Sequence, residues 1–510
     1  QAILVQDARN RLPKFHICLV NHRSSHSLNR MPVREATEHT ALLFSGCDSE
    51  IGLDEVLQRI GTGWFQIRVL VLSGLGFAAA AIEVVLVAFL VVELREEWHL
   101  SEYALGAIPS LVALGTVLGS TFWGVAADLY GRRGIYMATS VVVVVFGILS
   151  AFSSDVVWLS LLRFLVAVGF GGNIAVDFTL FVEFLPTKRR GPMLFCMQAF
   201  WPAGQLATCL IAWSVIPRYD WRAFLAACTI PSILTASLRP LIPETPRWLL
   251  LHGYIEEATE VCRKMAIWNG KRPDEVGLTS HRKLCIRQKT REQDSMWVLL
   301  HSMSIWKHPL AATAIGATLV EAALFAGGYA QETILPTLLE AKGMQNDDLY
   351  ETMLLSSVAQ FPGVLLAGMI GVYSGRLLPM KSFLFLIALC LLGFTFASGG
   401  RSIMTFTCLG SMFLEAGWAV THTYVPEVFP TELRTSAMGF LQAVTSVVSW
   451  GLPTCFAYVI TNHSTSTTTI LTAVVCAFGG IGAATIFHIE TYARELTDRV
   501  EWAPKPYDSL

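Results

Sequence analysis

Long apolar runs alternate with short polar breaks over most of the chain, and this pattern predicts membrane-spanning helices. A helix needs about 20 residues to cross the hydrocarbon core of a bilayer, and it satisfies its own backbone hydrogen bonds there. The runs predict twelve spans, numbered in chain order, at about 69–92, 104–127, 135–153, 158–182, 193–215, 223–243, 309–331, 353–373, 382–399, 404–425, 437–459 and 468–489. Pro202 in span 5 and Pro453 in span 11 predict kinks.

The polar segments outside the spans complete the predicted domain organisation. It comprises a largely flexible N-terminal tail (1–60), a six-helix bundle (61–250), a linker with short amphipathic helices (251–304), a second six-helix bundle (305–492) and a C-terminal tail (493–510). The first tail has no compact apolar run after a basic start, so we expect no secretory signal in it. The chain begins with Gln1 rather than Met, so we expect the natural start to lie upstream.

Two short segments outside the spans have apolar residues at helical spacing. Residues 51–60 predict an amphipathic helix that lies against the membrane or against span 1. Residues 255–265 predict a soluble helix within the linker, with Glu preceding Arg and Lys by about one turn.

Composition supports the membrane assignment and excludes several other classes. The 510 residues have a mean hydropathy of +0.51, and only 15% are charged, against about 25% in soluble domains. The formal net charge of −2 gives no basic field to attract nucleic acid. The 11 cysteines form no CxxC pair and no Cys/His cluster, and no catalytic triad, phosphate loop or HExxH motif is present. We therefore expect neither an enzyme nor a metal or other cofactor.

The distribution of Lys and Arg predicts the orientation of the spans. If both termini are cytoplasmic, the short inner loops carry eight Lys and Arg residues and the short outer loops carry five. The linker adds eleven more to the inner side. Because basic residues favour the cytoplasmic side of membranes, we predict that both termini and the linker are cytoplasmic.

An internal repeat relates the two predicted bundles. Residues 183–190 and 427–434 both read Glu-x-x-Pro-Thr-x-x-Arg, and each follows the fourth span of its half at an offset of 244 residues. The repeat indicates a gene duplication, as in transporters with parallel repeats. Each set of Glu and Arg predicts an ion-pair cluster on the cytoplasmic side that holds one conformation of the protein closed. The alternative is that the motif anchors the end of a helix and has no gating role.

Three further motifs lead to a family resemblance. They are Gly124-Val-Ala-Ala-Asp-Leu-Tyr-Gly-Arg-Arg133, Arg163-Phe-Leu-Val-Ala-Val-Gly-Phe-Gly-Gly172 and Pro243-Glu-Thr-Pro-Arg-Trp-Leu249. With the repeat, they resemble the major facilitator superfamily, and the third motif narrows this to the branch of sugar porters and organic-ion transporters. Residues 60–66 and 172–187 are similar to the synaptic-vesicle-protein-related group of that branch.

The resemblance implies an all-α membrane protein with the major facilitator fold, in which twelve transmembrane helices form two pseudo-symmetric six-helix bundles. It implies a monomer that moves a small solute through the bilayer by alternating access. With the repeat, it assigns the cytoplasmic gate to Asp128, Arg132, Arg133, Glu183, Arg190, Glu244, Arg247, Glu427 and Arg434.

The chain departs from its relatives at three places. Span 7 lacks the paired glutamine motif of sugar porters, which argues against a sugar as substrate. Span 1 keeps Glu83 but lacks the Asp that many members of the subgroup carry a few residues earlier. The second-half counterpart of the Asp128 motif, residues 371–376, lacks the Asp and the trailing basic residues, so the second gate is either weaker or degenerate without consequence.

Ionisable residues inside the spans predict the substrate site, because an uncompensated charge in the bilayer costs a few kcal/mol. Glu83, Asp177, Glu321 and Glu415 fall in spans 1, 4, 7 and 10, which line the central cavity of the family fold. Polar and aromatic neighbours extend the set of candidates. The substrate- or proton-binding candidates are Glu83, Asn173, Asp177, Gln198, Gln205, Glu321, Glu415, Trp418 and His422.

An acidic cavity favours a cationic or zwitterionic substrate, or carboxylates that take up protons; a structural, hydrogen-bonded role for each carboxyl is the alternative. We therefore predict a secondary transporter of a small organic ion, with proton coupling as a hypothesis. A sugar porter and a non-transporting receptor or scaffold with the same fold stay open as alternatives. The sequence does not separate the plasma membrane from an intracellular vesicle membrane.

Overall fold

The structure is a computed structural model. It describes residues 50–279, 282–285, 310–328, 332–344, 347–373, 376–428, 448, 450–452, 455–456, 458–459 and 465–486. Within these residues, nine helices are long and apolar enough to cross a membrane, and two shorter apolar helices cover Ile315–Gly328 and Ser466–Gly480. Predicted spans 1–10 and 12 each coincide with a helix, whereas span 11 lies largely outside the described residues.

The helices follow the predicted order along the chain. Spans 1–6 are formed by Trp64–Trp98, Glu102–Tyr130, Arg132–Ser150, Val156–Glu183, the pair Arg190–Gln198 and Phe200–Val215, and Trp221–Leu238. Spans 7–10 and 12 are formed by Leu310–Gly328, Asp347–Tyr373, Leu377–Phe396, Gly400–Val428 and Thr465–Ile486. Shorter helices cover Leu53–Ile60, Thr187–Arg189, Arg239–Leu241, Pro246–Leu251, Ile255–Trp268 and Leu335–Ala341, and the strands are Glu50–Gly52 and Lys283–Cys285.

Span 5 is interrupted, and a separate short helix follows span 7. Span 5 breaks at Ala199, because Pro202 has no N–H to bond the carbonyl of Gln198 four residues earlier, so the predicted kink is present as a break. The described helix of span 7, Leu310–Gly328, agrees with the predicted span of about 309–331 to within a few residues. A separate short apolar helix, Leu335–Ala341, follows Glu332 and Thr333. This short helix lies beyond the predicted span, and most of its residues are buried.

Span 2 packs along span 4 and span 8 packs along span 10, and each contact depends on a glycine. A Cβ on Gly119 would collide with the carbonyl oxygen of Val168, and one on Gly363 would collide with that of Met412. Positions 119 and 363 are 244 residues apart, and so are 168 and 412. This is also the offset of the Glu-x-x-Pro-Thr-x-x-Arg repeat, so the two halves share one packing geometry.

Valine at either glycine is expected to destabilise the protein by roughly 1–3 kcal/mol or more, because the added side chain forces two backbones apart. Gly124→Val is the matched control, since a Cβ at Gly124 in the same helix as Gly119 meets no atom within 4 Å. Thermal unfolding of the purified protein measures the difference. Equal melting temperatures for Gly119→Val and Gly124→Val would contradict the close contact.

Residues 51–60, for which the sequence predicts an amphipathic helix at the end of the largely flexible tail, are folded. Strand Glu50–Gly52 pairs in parallel with Lys283–Cys285. The helix Leu53–Ile60 buries its apolar face in one cluster with the start of span 1, the end of span 4 and the linker helix Ile255–Trp268. The predicted contact with span 1 is therefore present, and the linker helix adds a second cover, because two amphipathic helices bury their apolar faces against each other.

The linker helix contributes Cys262 to this cluster. Burial raises the pKa of the Cys262 thiol from 9.0 to about 12, so this thiol stays protonated at neutral pH. The face of the membrane on which this linker assembly lies is called the linker side below.

Candidate functional site

On the side opposite the linker, the two halves of the chain are packed together. Arg95 at the end of span 1 lies 3.9 Å from the Glu340 carboxylate, and the Trp213 indole donates a hydrogen bond of 3.1 Å to Asp347. One continuous apolar cluster with residues from both halves surrounds these contacts. On the linker side, the described apolar clusters of the two halves share no buried residue, and Phe195 of span 5 is the N-terminal side chain that packs against the C-terminal cluster.

Polar and aromatic side chains from both halves meet between the bundles. We define the interbundle cluster as Phe77, Phe178, Gln198, Trp201, Gln205, Phe325, Glu332, Gln360, Trp418 and His422. The first five residues come from the N-terminal half and the other five from the C-terminal half. The site is therefore built mainly from residues of spans 1, 4, 5, 7, 8 and 10.

The Glu332 carboxylate is the polar centre of the interbundle cluster. Gln205 Nε2 and Trp201 Nε1 donate to Glu332 Oε1 over 2.7 and 3.3 Å. Gln360 Nε2 in turn donates to Gln205 Oε1 over 2.6 Å. These bonds join span 5 to spans 7 and 8, so a carboxylate from one half is held by donors from the other.

Aromatic rings line the same region. Phe77 contacts Phe178 edge-on and also contacts Trp201, with both pairs of ring centroids 5.0 Å apart. In the C-terminal half, Phe325 contacts Trp418 edge-on at 4.9 Å. Such rings present negative faces to a bound cation.

His422 links the two halves a second time. Its Nδ1 lies 3.0 Å from Gln198 Nε2, within hydrogen-bond distance, and its ring lies 5.2 Å from that of Trp418. His422 is exposed although it lies inside span 10 between side chains of both halves. An open space therefore lies beside it.

Glu415 and Glu321 are buried in spans 10 and 7. Glu415 interacts electrostatically with Glu332, and its Oε1 has no hydrogen-bond partner among the described residues. In the 244-residue repeat, Glu415 is equivalent to Gly171, and Gln360 is equivalent to Thr116. A Cβ added to Gly171 would meet the backbone of Thr116. The repeat therefore indicates that Glu415 faces span 8 near Gln360.

Glu83 lies in a buried ion pair inside the N-terminal half. Arg163 Nη1 donates to Glu83 Oε2 over 3.1 Å, and the two side chains are 3% and 1% exposed. Glu83 thus has a fixed counter-charge 80 residues away in the sequence. Its carboxylate is not a free group of the interbundle cluster.

Asn173 and Asp177 lie in a second buried polar cluster of the N-terminal half. Arg239 Nη1 donates to Asn173 Oδ1 over 2.9 Å, and its guanidinium lies 3.4 Å from the centre of the Tyr136 ring. A Cβ on Gly76 would lie 2.6 Å from the Tyr136 hydroxyl and 2.9 Å from both Arg239 Nη2 and Asp177 Oδ2. Three ionisable side chains therefore converge on the space that Gly76 leaves open.

This second cluster adjoins the interbundle cluster along two helices. Gly76 precedes Phe77 in span 1, and Asp177 precedes Phe178 in span 4. Neither carboxylate oxygen of Asp177 has a hydrogen-bond partner among the described residues. Phe77 and Phe178 are therefore the residues of the interbundle cluster that lie next to the buried Asp177 carboxylate.

The gate residues of the N-terminal half meet on the linker side. Arg132 Nη2 lies 2.9 Å from Glu183 Oε1. Glu244 accepts hydrogen bonds of 3.1 Å from the backbone N–H groups of Arg132 and Arg133, and so caps the start of span 3. The motif before span 3, the motif after span 4 and the motif after span 6 are thus joined in one network.

Arg190 and Arg247 share a partner that the sequence reading missed. Asp54 Oδ1 lies 2.7 Å from Arg247 Nη2 and 3.5 Å from Arg190 Nη2. Asp54 belongs to the short helix Leu53–Ile60, so this helix is part of the network on the linker side. No sequence motif around Asp54 identifies it as a gate residue, because its partners lie more than a hundred residues away in the chain.

Three predicted gate residues cannot be placed. The side chains of Asp128 and Glu427 and the whole of Arg434 lie outside the described residues. The gate of the C-terminal half therefore stays a prediction.

The structure brings Gln198, Gln205, Trp418 and His422 together as predicted candidates and adds Glu332 and Gln360, which the sequence reading missed. Glu332 was placed beyond the end of span 7. The apolar run 334–339 that follows it was the available signal that the chain stays within the protein there. The described residues contain no group of three His, Cys, Asp or Glu side chains that could hold a metal ion.

Comparisons with known proteins show which family the chain resembles. The sequence profile of the family described as "Sugar (and other) transporter" matches residues 72–501. The chain is 30% identical to the organic cation/carnitine transporter 7 of Arabidopsis thaliana, over 89% of this chain and 97% of that protein. It is 28% identical to the synaptic vesicle 2-related protein of Xenopus laevis, over 88% and 83% of the two chains.

A solved structure gives the same fold. The xylose transporter XylE from E. coli, in a partially occluded inward-open conformation, superimposes with a TM-score of 0.68 at 18% identity, over 84% of this chain and 99% of that one.

Proposed function

We propose that this chain, which belongs to the family of sugar and other transporters within the major facilitator superfamily, moves a small organic cation or zwitterion across the membrane by alternating access. The members of this family are transporters and not enzymes. The interbundle cluster is the proposed binding site. The observation that carries this proposal is the partly buried Glu332 carboxylate, held by Gln205 and Trp201 between the two halves.

The chemistry of the interbundle cluster favours a cation. Its described residues offer a carboxylate and five aromatic rings and include no Lys or Arg. An ammonium or similar group gains from a carboxylate and from the faces of aromatic rings, most strongly where water is excluded. The similar Arabidopsis protein is named as an organic cation/carnitine transporter, which supports this substrate class.

The packing of the two halves supports an inward-facing conformation. The halves are joined on the side opposite the linker by Arg95–Glu340 and Trp213–Asp347, and on the linker side their described apolar clusters share no buried residue. With the excess of Lys and Arg in the linker, this supports a cytoplasmic location of the linker and both termini. The transporter works as a monomer in this proposal.

Uptake into proteoliposomes tests the function. The purified protein is supplied in parallel with a quaternary ammonium compound, a betaine-type zwitterion and a hexose, and protein-free liposomes give the background. We expect saturable uptake of the ammonium compound or the zwitterion. Uptake of the hexose alone would favour the sugar porter, and binding without uptake of any solute would favour a receptor or scaffold.

Proton coupling is proposed for Asp177 and Glu415, two buried carboxylates with oxygen atoms that have no hydrogen-bond partner among the described residues. Asp177 faces Tyr136 and Arg239, and Glu415 interacts with Glu332. Asp177→Asn and Glu415→Gln are each expected to abolish the stimulation of uptake by an inward proton gradient while protein levels in the membrane stay unchanged, because neither amide can take up and release the transported proton. Uptake by the unmodified protein that stays constant between about pH 5 and pH 8 would contradict the coupling.

A further inference from the structure

A groove runs along the outside of the N-terminal half, at the linker side of spans 1 and 6. Its volume is about 660 Å³, within the range of small-molecule sites. The lining residues are Trp64, Ile67, Arg68, Val71, Leu72, Leu241 and Trp268. Arg68 is the charged residue among them, and the others are apolar or aromatic.

The apolar wall of this groove is open to the outside of the protein. Trp64 is 72% exposed, Trp268 51% and Leu241 50%. In a membrane-spanning protein, such a surface on the spans faces acyl chains, and Trp side chains collect where the hydrocarbon meets the headgroups. The two tryptophans therefore mark the level of the headgroups on the linker side.

Arg68 is held at the rim of the groove. Its guanidinium carbon lies 4.7 Å from the centre of the Trp268 ring, and its Nη2 donates 3.1 Å to the carbonyl of Leu241. Arg133 donates over the same distance to the adjacent carbonyl, that of Pro240. Two guanidinium groups thus flank the end of span 6, and each has further N–H donors beyond these bonds.

The wall that carries Trp268 is fixed to span 1. Asn269 Nδ2 donates 2.8 Å to Gln66 Oε1, and Asn269 Oδ1 accepts a hydrogen bond of 3.1 Å from the backbone N–H of Phe65. The end of the linker helix is therefore clamped to the first turn of span 1. The groove is a built feature of the fold rather than a gap between loosely packed helices.

We propose that this groove binds an anionic phospholipid of the leaflet on the linker side. One acyl chain lies along Ile67, Val71 and Leu241, and the phosphate is bound by Arg68. Guanidinium groups bind phosphate oxygens through paired hydrogen bonds, and anionic lipids are concentrated in the cytoplasmic leaflet. A free inorganic phosphate would leave the long apolar wall of the groove without a ligand, whereas a lipid covers it with an acyl chain. The apolar wall therefore favours the lipid as occupant.

Quenching of Trp268 by brominated lipids tests this site. The full chain is reconstituted into vesicles of phosphatidylcholine mixed in equal parts with phosphatidylserine, with the bromine on the acyl chains of one lipid or of the other. The signal of Trp268 is the difference between the unmodified protein and Trp268→Phe. We expect brominated phosphatidylserine to quench this signal more strongly than brominated phosphatidylcholine.

Arg68→Gln is expected to reduce the preference for phosphatidylserine about fivefold. One Lys or Arg near an anionic membrane surface strengthens the binding of anionic lipid by about that factor. Arg222→Gln is the matched control. Arg222 also stacks on a tryptophan, 4.2 Å from the ring of Trp221, but on the side opposite the linker, so its loss should leave the preference unchanged.

Two results would overturn the proposal. The first is equal quenching of Trp268 by the two brominated lipids in the unmodified protein, which decides the question even if Arg68→Gln fails to fold. The second is loss of the preference on addition of inorganic phosphate at physiological ionic strength, which would identify an anion site without lipid specificity. Transport activity does not enter either readout, so the lipid site and the proposed function fail independently.

Discussion

The Glu332→Gln variant is expected to lose about 10- to 100-fold in kcat/KM for a cationic substrate, while its level in the membrane stays unchanged. The substitution keeps the shape of the side chain and removes its negative charge. A hydrogen bond to a charged group contributes about 1.5–3 kcal/mol, which corresponds to this loss in kcat/KM. Initial rates of uptake into proteoliposomes over a range of substrate concentrations measure it.

The loss should be specific to charge. A neutral substrate of similar shape, if it is transported, should be affected much less by Glu332→Gln. Glu256→Gln is the control variant, because Glu256 lies exposed in the first turn of the linker helix and loses the same charge outside the site. Unchanged uptake of the cation by Glu332→Gln would falsify the assignment of Glu332 as the counter-charge.

Removal of Arg163 alone is expected to destabilise the protein by about 3–5 kcal/mol, because it leaves the Glu83 carboxylate buried without its counter-charge. The pair is almost completely enclosed, and its two atoms are 3.1 Å apart. Arg163→Met keeps much of the side-chain volume and removes the charge. Thermal unfolding of the purified protein in detergent gives the change in stability.

The double variant Glu83→Gln/Arg163→Met separates the ion pair from the packing. It should recover a large part of the stability that Arg163→Met loses, because no unpaired charge is left. If the two single losses simply add in the double variant, the two side chains do not stabilise each other, and the buried ion pair has no energetic role.

The order of the spans could be predicted from sequence because hydropathy is a local property of about 20 consecutive residues. The sequence did not identify Glu332 as a site residue, because Glu332 follows the predicted end of span 7. Hydropathy shows whether a carboxylate falls inside or outside a span, but it does not show which donors the carboxylate meets. The donors of Glu332, such as Gln205, come from another helix.

The candidate site was predicted in part. Gln198, Gln205, Trp418 and His422 were identified as polar or aromatic residues inside spans, and the structure brings them together. Glu83 met the same criterion and lies elsewhere, paired with Arg163. The criterion finds residues that need a partner inside the membrane, and it does not distinguish a partner within the protein from a substrate.

The sequence by itself determined the class of protein, the number and order of the predicted spans, the duplication and the family. These properties are carried by the composition of single segments and by motifs at fixed spacing. The 244-residue offset also relates helix contacts in the two halves. Gly119 packs against Val168 as Gly363 packs against Met412.

Only the tertiary structure decided which charges are compensated and which face the space between the bundles. Glu83 and Arg163 are 80 residues apart, and Gln205 and Glu332 are 127 apart. Such pairs depend on how each helix is rotated about its axis and on which neighbour it packs against. Those rotations are set by the fit of whole helix surfaces, including the glycine contacts between spans 2 and 4, and no single segment of the sequence contains that information.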